Sequence, residues 1–208
     1  MSGEPVGAAE RPFYSLPVRQ PSLFSAQASA AGPDDLAGLL CAPGQVHGFG
    51  RGTAARVSAV VAAQWRAVEI VRACTERGLP AERGQTEDRH WVRTAFVAGL
   101  LPLATEWTRG AVKAVPPGWQ LDGAALRLWA LAAGAPDDHG YLLGLDPHAP
   151  STHGPLAAAL AAAGLAATLL GPRAGGPALR ISGRRRLTRL AELIGNSPPT
   201  APTALWPI

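Results

Sequence analysis

The sequence predicts an α+β protein in which one helix–strand–strand–helix–strand–strand–helix unit occurs twice in tandem. An apolar helical segment ending in glycine begins each copy, LAGLLCAPG at Leu36 and LRLWALAAG at Leu126. A second helix in each copy also closes on glycine, at Gly78 and Gly164. Between these landmarks the apolar residues switch from helical to alternating spacing in the same order in both halves.

The first copy reads as follows. The opening helix covers about 35–42 and is followed by strand-like QVHGFG and by 55–61. A middle helix over about 62–77 ends in ERGLPAER, with Gly78 at the position where left-handed backbone favours glycine. A hairpin follows whose second strand is 90–96, and a final helix spans about 98–109. The second copy has a helix over about 122–133, a poorer first strand, and GYLLGLD at 140–146. Its middle helix, about 151–163, ends in AAGLAATL, and PALRIS leads to a last helix at about 184–194. GFGRG, at 48–52, lacks the lysine and the strand-to-helix setting of a phosphate loop and reads as a hairpin turn.

Parity assigns the faces. Ala55, Val57, Ala59 and Val61 point toward helices, leaving Arg56, Ser58 and Val60 on an open face. Val92, Thr94 and Phe96 are expected inward, with Trp91, Arg93 and Ala95 outward. In the middle helix, Trp65, Val68, Val71 and Arg72 lie near one face, widened by Ile70 and Cys74. Gln64, Arg66, Glu69, Glu76 and Arg77 are expected toward water. Each half thus supplies an antiparallel sheet with helices on one side.

Around these units, residues 1–33 read as a flexible arm broken by Pro12, Pro17, Pro21 and Pro33, which Phe13, Tyr14, Leu23 and Phe24 could pin to the body. The first repeat is 34–110, the linker with Pro116, Pro117 and Gly118 is 111–120, and the second repeat is 121–196. The tail 197–208 is rich in proline, and its Trp206 either docks or is exposed.

Hydrophobic residues at 47% supply a real core, while charged residues at 16% fall below the usual quarter. Lys113 is the sole lysine, an arginine bias typical of GC-rich coding sequence, so arginine content alone does not argue for nucleic acid. The net charge of +4 favours an anionic partner only weakly. Cys41 and Cys74 sit in apolar helices outside any CxxC pattern and read as buried thiols. No cationic tip precedes an apolar run near Met1, and the alanine-rich stretch 157–167 is short of a membrane span. A cytoplasmic or nucleoid-associated protein without a cofactor is the expectation.

LAGLLCAPG resembles the signature helix of the LAGLIDADG homing-endonuclease fold. The resemblance covers about 34–196. It implies αββαββα units about a pseudo-twofold axis, with two central helices touching and the two sheets forming a saddle over DNA. Within that fold the chain is similar to the amino-terminal part of the WhiA family of sporulation regulators, a catalytically degenerate version whose domain end resembles LTRLAELIG at 187–195. In active family members an acidic residue just before the final signature glycine holds a divalent metal. Here Pro43 and Ala133 stand at those positions, and their side chains offer no oxygen ligand. The resemblance therefore implies a monomeric, non-catalytic protein that binds double-stranded DNA, with regulatory or chromosome-associated roles. A protein-interaction module on the same scaffold is the alternative, favoured by open-face Val60, Trp91 and Ala95.

The residues expected to touch DNA are Arg56, Arg83, Gln85 and Arg93 in the first half, and Arg173 and Arg180 in the second. Arginine forks onto phosphate or onto the major-groove edge of guanine. Arg184–Arg186, at a helix start, rank below this set. Asp137, Asp138, Asp146, His139 and His148 cluster along the sequence and would permit a metal, but they match no closed zinc pattern and read as surface loop. No catalytic or metal residue is assigned.

Overall fold

The computed structural model describes residues 25–26, 30–171 and 175–207. A 3-10 turn at Pro33–Leu36 leads into α1 (Ala37–Cys41), β1 (Gln45–Phe49) and β2 (Ala54–Val61). Then come α2 (Gln64–Glu76), β3 (Ala81–Thr86), β4 (Arg89–Thr94) and α3 (Leu101–Glu106). A small hairpin of β5 (Thr108–Arg109) and β6 (Val112–Lys113) precedes the second unit. That unit contains α4 (Gly123–Ala133), β7 (Gly134–Asp137), β8 (Gly140–Gly144) and α5 (His153–Ala162). It ends with β9 (Thr168–Leu170), β10 (Ala178–Ile181) and α6 (Arg184–Ile194).

The two principal sheets have the same antiparallel order, β1-β2-β4-β3 and β7-β8-β10-β9. Two αββαββα units with helices along one side of each sheet are the fold that the repeated order of elements predicts. Gly78 and Gly164 end the middle helices with φ of 67° and 81°, as left-handed helix ends require. GFGRG is the β1–β2 turn, with Gly50, Arg51 and Gly52 all at positive φ.

The central helices meet where a side chain is missing. A Cβ on Gly38 of α1 would run into the backbone carbonyl of Ala125 on α4. The crossing is therefore at Gly38, earlier in the helix than the closing glycines. Gly44 instead packs on the Leu39 carbonyl, and Gly134 lies against the Tyr141 hydroxyl and the Ala130 carbonyl. Asp122 caps α4 by accepting from the Ala125 amide at 2.8 Å. Trp129 is buried in its own half and donates to the Gly144 carbonyl at 2.8 Å. One core spans both units, from Leu36, Leu40 and Ile70 to Leu143, Leu179 and Ile194.

The inward face of α2 differs from the predicted one. Arg66 and Glu69 are buried with Ala67, Ile70, Ala73 and Cys74, while Trp65, Val68 and Val71 are half-buried and Arg72 is exposed. Each buried charge is there to satisfy polar groups elsewhere. Arg66 donates to the carbonyls of Ala130 (3.0 Å), Leu131 (2.7 Å) and Gly134, at the end of α4. Glu69 accepts from the Thr200 amide (3.1 Å) and hydroxyl (2.7 Å) in the tail. Arg77 is also largely buried, with its guanidinium 2.8 Å from Asp35.

The tail docks. Trp206 is buried and donates to the Gly195 carbonyl at 3.0 Å, and Tyr141 donates to the Leu205 carbonyl at 3.3 Å. In the arm, the Ala26 amide donates to the Leu193 carbonyl at 2.8 Å. Phe13, Tyr14, Leu23 and Phe24 lie outside the described residues. Cys41 and Cys74 are buried free thiols, and burial pushes Cys74 up to about 11. Among the described residues no helix is long and apolar enough to cross a membrane.

Candidate nucleic-acid interface

The open face of the first sheet follows from its register. Ala55, Val57, Ala59 and Val61 are buried under the helices, so Arg56, Ser58 and Val60 face away. His47 stands opposite Arg56 on β1, and Arg93 and Trp91 stand opposite Ser58 and Val60 on β4. These residues form one surface.

Arg83 and Gln85 are not on it. Arg83 pairs with Val92 and Gln85 with His90, so both have the parity of the helix-covered side and are exposed only because β3 is the sheet edge. Gln85 further turns back to donate to the Glu87 carbonyl at 3.0 Å. The open-face residues of β3 are Glu82, Gly84 and Thr86. Trp91 lies against Gly84, where a Cβ would strike its indole.

Phe96 is the second departure. The chain pairs Ser58 with Arg93, then Ala55 with Val97, so three steps along β2 are matched by four along its partner. This extra residue is a β-bulge, bridged by the Val57 amide donating to Thr94 Oγ1 at 3.0 Å. Beyond it the parity reverses: Val92 and Thr94 point inward as predicted, but Phe96 turns out and is 38% exposed. There its ring lies 5.0 Å from that of Phe49, which is 62% exposed.

The arginines rest on these rings. The Arg56 guanidinium lies 4.7 Å from the Phe96 ring centre, and that of Arg93 lies 4.6 Å from the Trp91 ring. Arg56 Nε is buried with no hydrogen-bond partner. Among the described residues no carboxylate pairs with Arg56, Arg89 or Arg93. Arg89, opposite Thr86, shares the open face; its place two residues before Trp91 was the available signal. Nothing in the alternation could have disclosed Phe96, because a bulge leaves no mark on it.

The second sheet is unlike the first. Arg180 faces out beside Leu142 and Thr168, but its Nε sits 2.8 Å from Asp137, off the direction of a hydrogen bond. Leu142, Ala135 and Leu170 make up much of the remaining open face. Arg173 lies outside the described residues. Arg184 and Arg185 are exposed at the start of α6, while Arg186 donates to the carbonyls of Ala166 (3.2 Å) and Ser182 (3.1 Å).

The acid–histidine run is pulled apart. Asp137 lies at one end of β8, opposite Gly140, and Asp146 lies beyond the other. Among the described residues no group of three or more His, Cys, Asp or Glu side chains is placed to hold a metal. The ends of both central helices carry cations from the chain itself. Arg66 closes α4, and Lys113 donates to the carbonyls of Leu40 (3.1 Å), Ala42 (2.8 Å) and Gly44 (2.8 Å) after α1. Both occupy the negative pole of a helix with its orphan carbonyls.

No protein-family model matches the chain, and no curated protein sequence matches it. Solved structures do. The homing endonuclease I-WcaI bound to its DNA recognition sequence is similar over 82% of this chain and 84% of its own, at TM-score 0.56 and 12% identity. I-DmoI in complex with DNA and Mn covers 81% of this chain and 99% of its own at TM-score 0.47 and 13% identity. The fold thus resembles that of the LAGLIDADG homing endonucleases, and at such identity the likeness to I-WcaI speaks for the fold alone.

Proposed function

We propose that this chain is a non-catalytic DNA-binding protein that carries DNA on the open face of its sheets, principally the first. The observation that carries this reading is the placing of Arg56 and Arg93 on an uncovered sheet, in no ion pair among the described residues and backed by aromatic rings. A guanidinium so held keeps its donors for phosphate or base edges. Loss of nuclease chemistry belongs to the same reading. Pro43 and Ala133 supply no side-chain metal ligand, and the Lys113 and Arg66 cations at the helix ends would repel a metal ion. A transcriptional regulatory or chromosome-associated role, as in the WhiA family, fits a monomer with internal pseudo-twofold symmetry.

A second reading attaches to the second sheet alone. Leu142 and Leu170 beside a neutralised Arg180 favour a partner protein there. Fluorescence-anisotropy titration of labelled duplex DNA tests the main reading. Wild type should bind, and the Arg56→Ala/Arg93→Ala/Arg180→Ala variant should bind more weakly. Duplex incubated with the protein in magnesium or manganese should stay intact. Binding of neither duplex nor single-stranded DNA by wild type, or equal binding by the folded variant, would remove the assignment.

A further inference from the structure

The bulge after Thr94 puts a ring where the alternation of β4 would have hidden it. Bulges recur where a side chain must be re-aimed. Phe96 joins Phe49 in an exposed aromatic pair at one end of the open face. Trp91 stands toward the other end, with its indole over Gly84. Phe49 is opposite Ala54 and Trp91 opposite Val60 on β2, so the two platforms are six positions apart, roughly 20 Å. Phosphate contacts need no such rings. Two rings exposed to water and a half-buried indole, all set among arginines, suit a ligand with flat apolar faces on an anionic chain.

We propose that the open face of the first sheet takes single-stranded DNA, with bases stacked on Phe49, Phe96 and Trp91 and phosphates held by Arg56, Arg89 and Arg93. This rests on the DNA-binding reading above and narrows it to DNA with unpaired bases. In a duplex the base faces are hidden in the stack, so the rings would have nothing to meet. The 20 Å between platforms matches about six stacked nucleotides at 3.4 Å each. Charge favours a polyanion, since Glu82 is the one acid facing out among the paired strand residues that carry these three arginines. The second sheet has no counterpart, because its Tyr141 is buried and Leu142 and Leu170 stand in the open positions.

Anisotropy titrations of the whole protein would use a labelled oligothymidylate of about 20 nucleotides, a duplex of equal length and an abasic strand of equal length. The single strand should bind more tightly than the duplex. Phe49→Leu and Phe96→Leu keep an apolar side chain without the ring, and each should weaken oligothymidylate binding about fivefold or more. Their binding to the abasic strand should stay at the wild-type level, which a merely structural defect would not allow. Binding of none of the three DNAs would overturn both this inference and the DNA-binding reading. Duplex bound as tightly as the single strand, or variants indistinguishable from wild type on oligothymidylate, would overturn the inference alone.

Discussion

Lys113 Nζ lies 2.6 Å from Asp146 Oδ2, so the chain's one lysine joins the two units through a buried ion pair. It also donates to three carbonyls, giving an ammonium more acceptors than it has protons. Such a lysine is a structural cation and not a nucleophile. Lys113→Met should cost about 3–5 kcal/mol in chemical denaturation, because it leaves Asp146 buried and unpaired. Lys113→Met with Asp146→Leu should recover part of that loss. A single variant as stable as wild type would refute the role.

Asp146 gives this pair a pH signature. Burial pushes its carboxyl up, but the Lys113 hydrogen bond, the His148 amide, the Lys113 charge and Gln45 outweigh this and hold it below the usual range. A carboxylate depressed on folding stabilises fully above its unfolded value of about 4 and loses that contribution as pH falls through the lower folded value. Stability measured by denaturant from neutral to acid pH should therefore drop in that window. Asp146→Asn should be less stable at neutral pH and show a shallower acid decline. An unchanged acid decline would place the titration elsewhere.

Gly38 should tolerate no side chain. Its Cβ position meets the Ala125 carbonyl and the Leu128 side chain, neither of which can retreat without moving α4. Gly38→Val should destabilise by about 3 kcal/mol or more, read as a lowered thermal midpoint. Gly48→Ala, at a position with open space around it, is the control and should be near neutral.

The tail should behave as part of the core. Trp206 is buried against Gly195, with the Arg127 guanidinium 5.1 Å from its ring centre, and Arg127 also donates to the Asn196 carbonyl at 2.7 Å. Trp206→Ala should cost about 3–5 kcal/mol. Amide exchange should then speed up at the end of α6 before it does in the first sheet. Uniform acceleration would argue against a local role.

The sequence disclosed the order of elements and the faces of β2 because alternation and glycine-ended helices are local signals. It marked Arg56 and Arg93 correctly as open-face residues. It misplaced Arg83 and Gln85 because β3 lacks apolar alternation, and only its pairing with β4 sets its parity. It misplaced Phe96 because one extra residue reverses every parity beyond it. It sent Arg66 and Glu69 to water because their partners, carbonyls at the end of α4 and the amide and hydroxyl of Thr200 in the tail, lie far away in the chain. Lys113 sat in what read as a linker, and its burial depends on helix-end carbonyls that no spacing rule reveals.

The salt dependence of DNA binding tests the central claim most directly. The logarithm of the association constant, plotted against the logarithm of salt concentration, should fall steeply for wild type, with a slope reporting the phosphates neutralised. Arg56→Gln/Arg93→Gln should bind more weakly and flatten that slope by up to about two phosphates' worth, with the fold retained. A slope near zero for wild type, or one unchanged in the folded double variant, would contradict DNA binding by the open face of the first sheet.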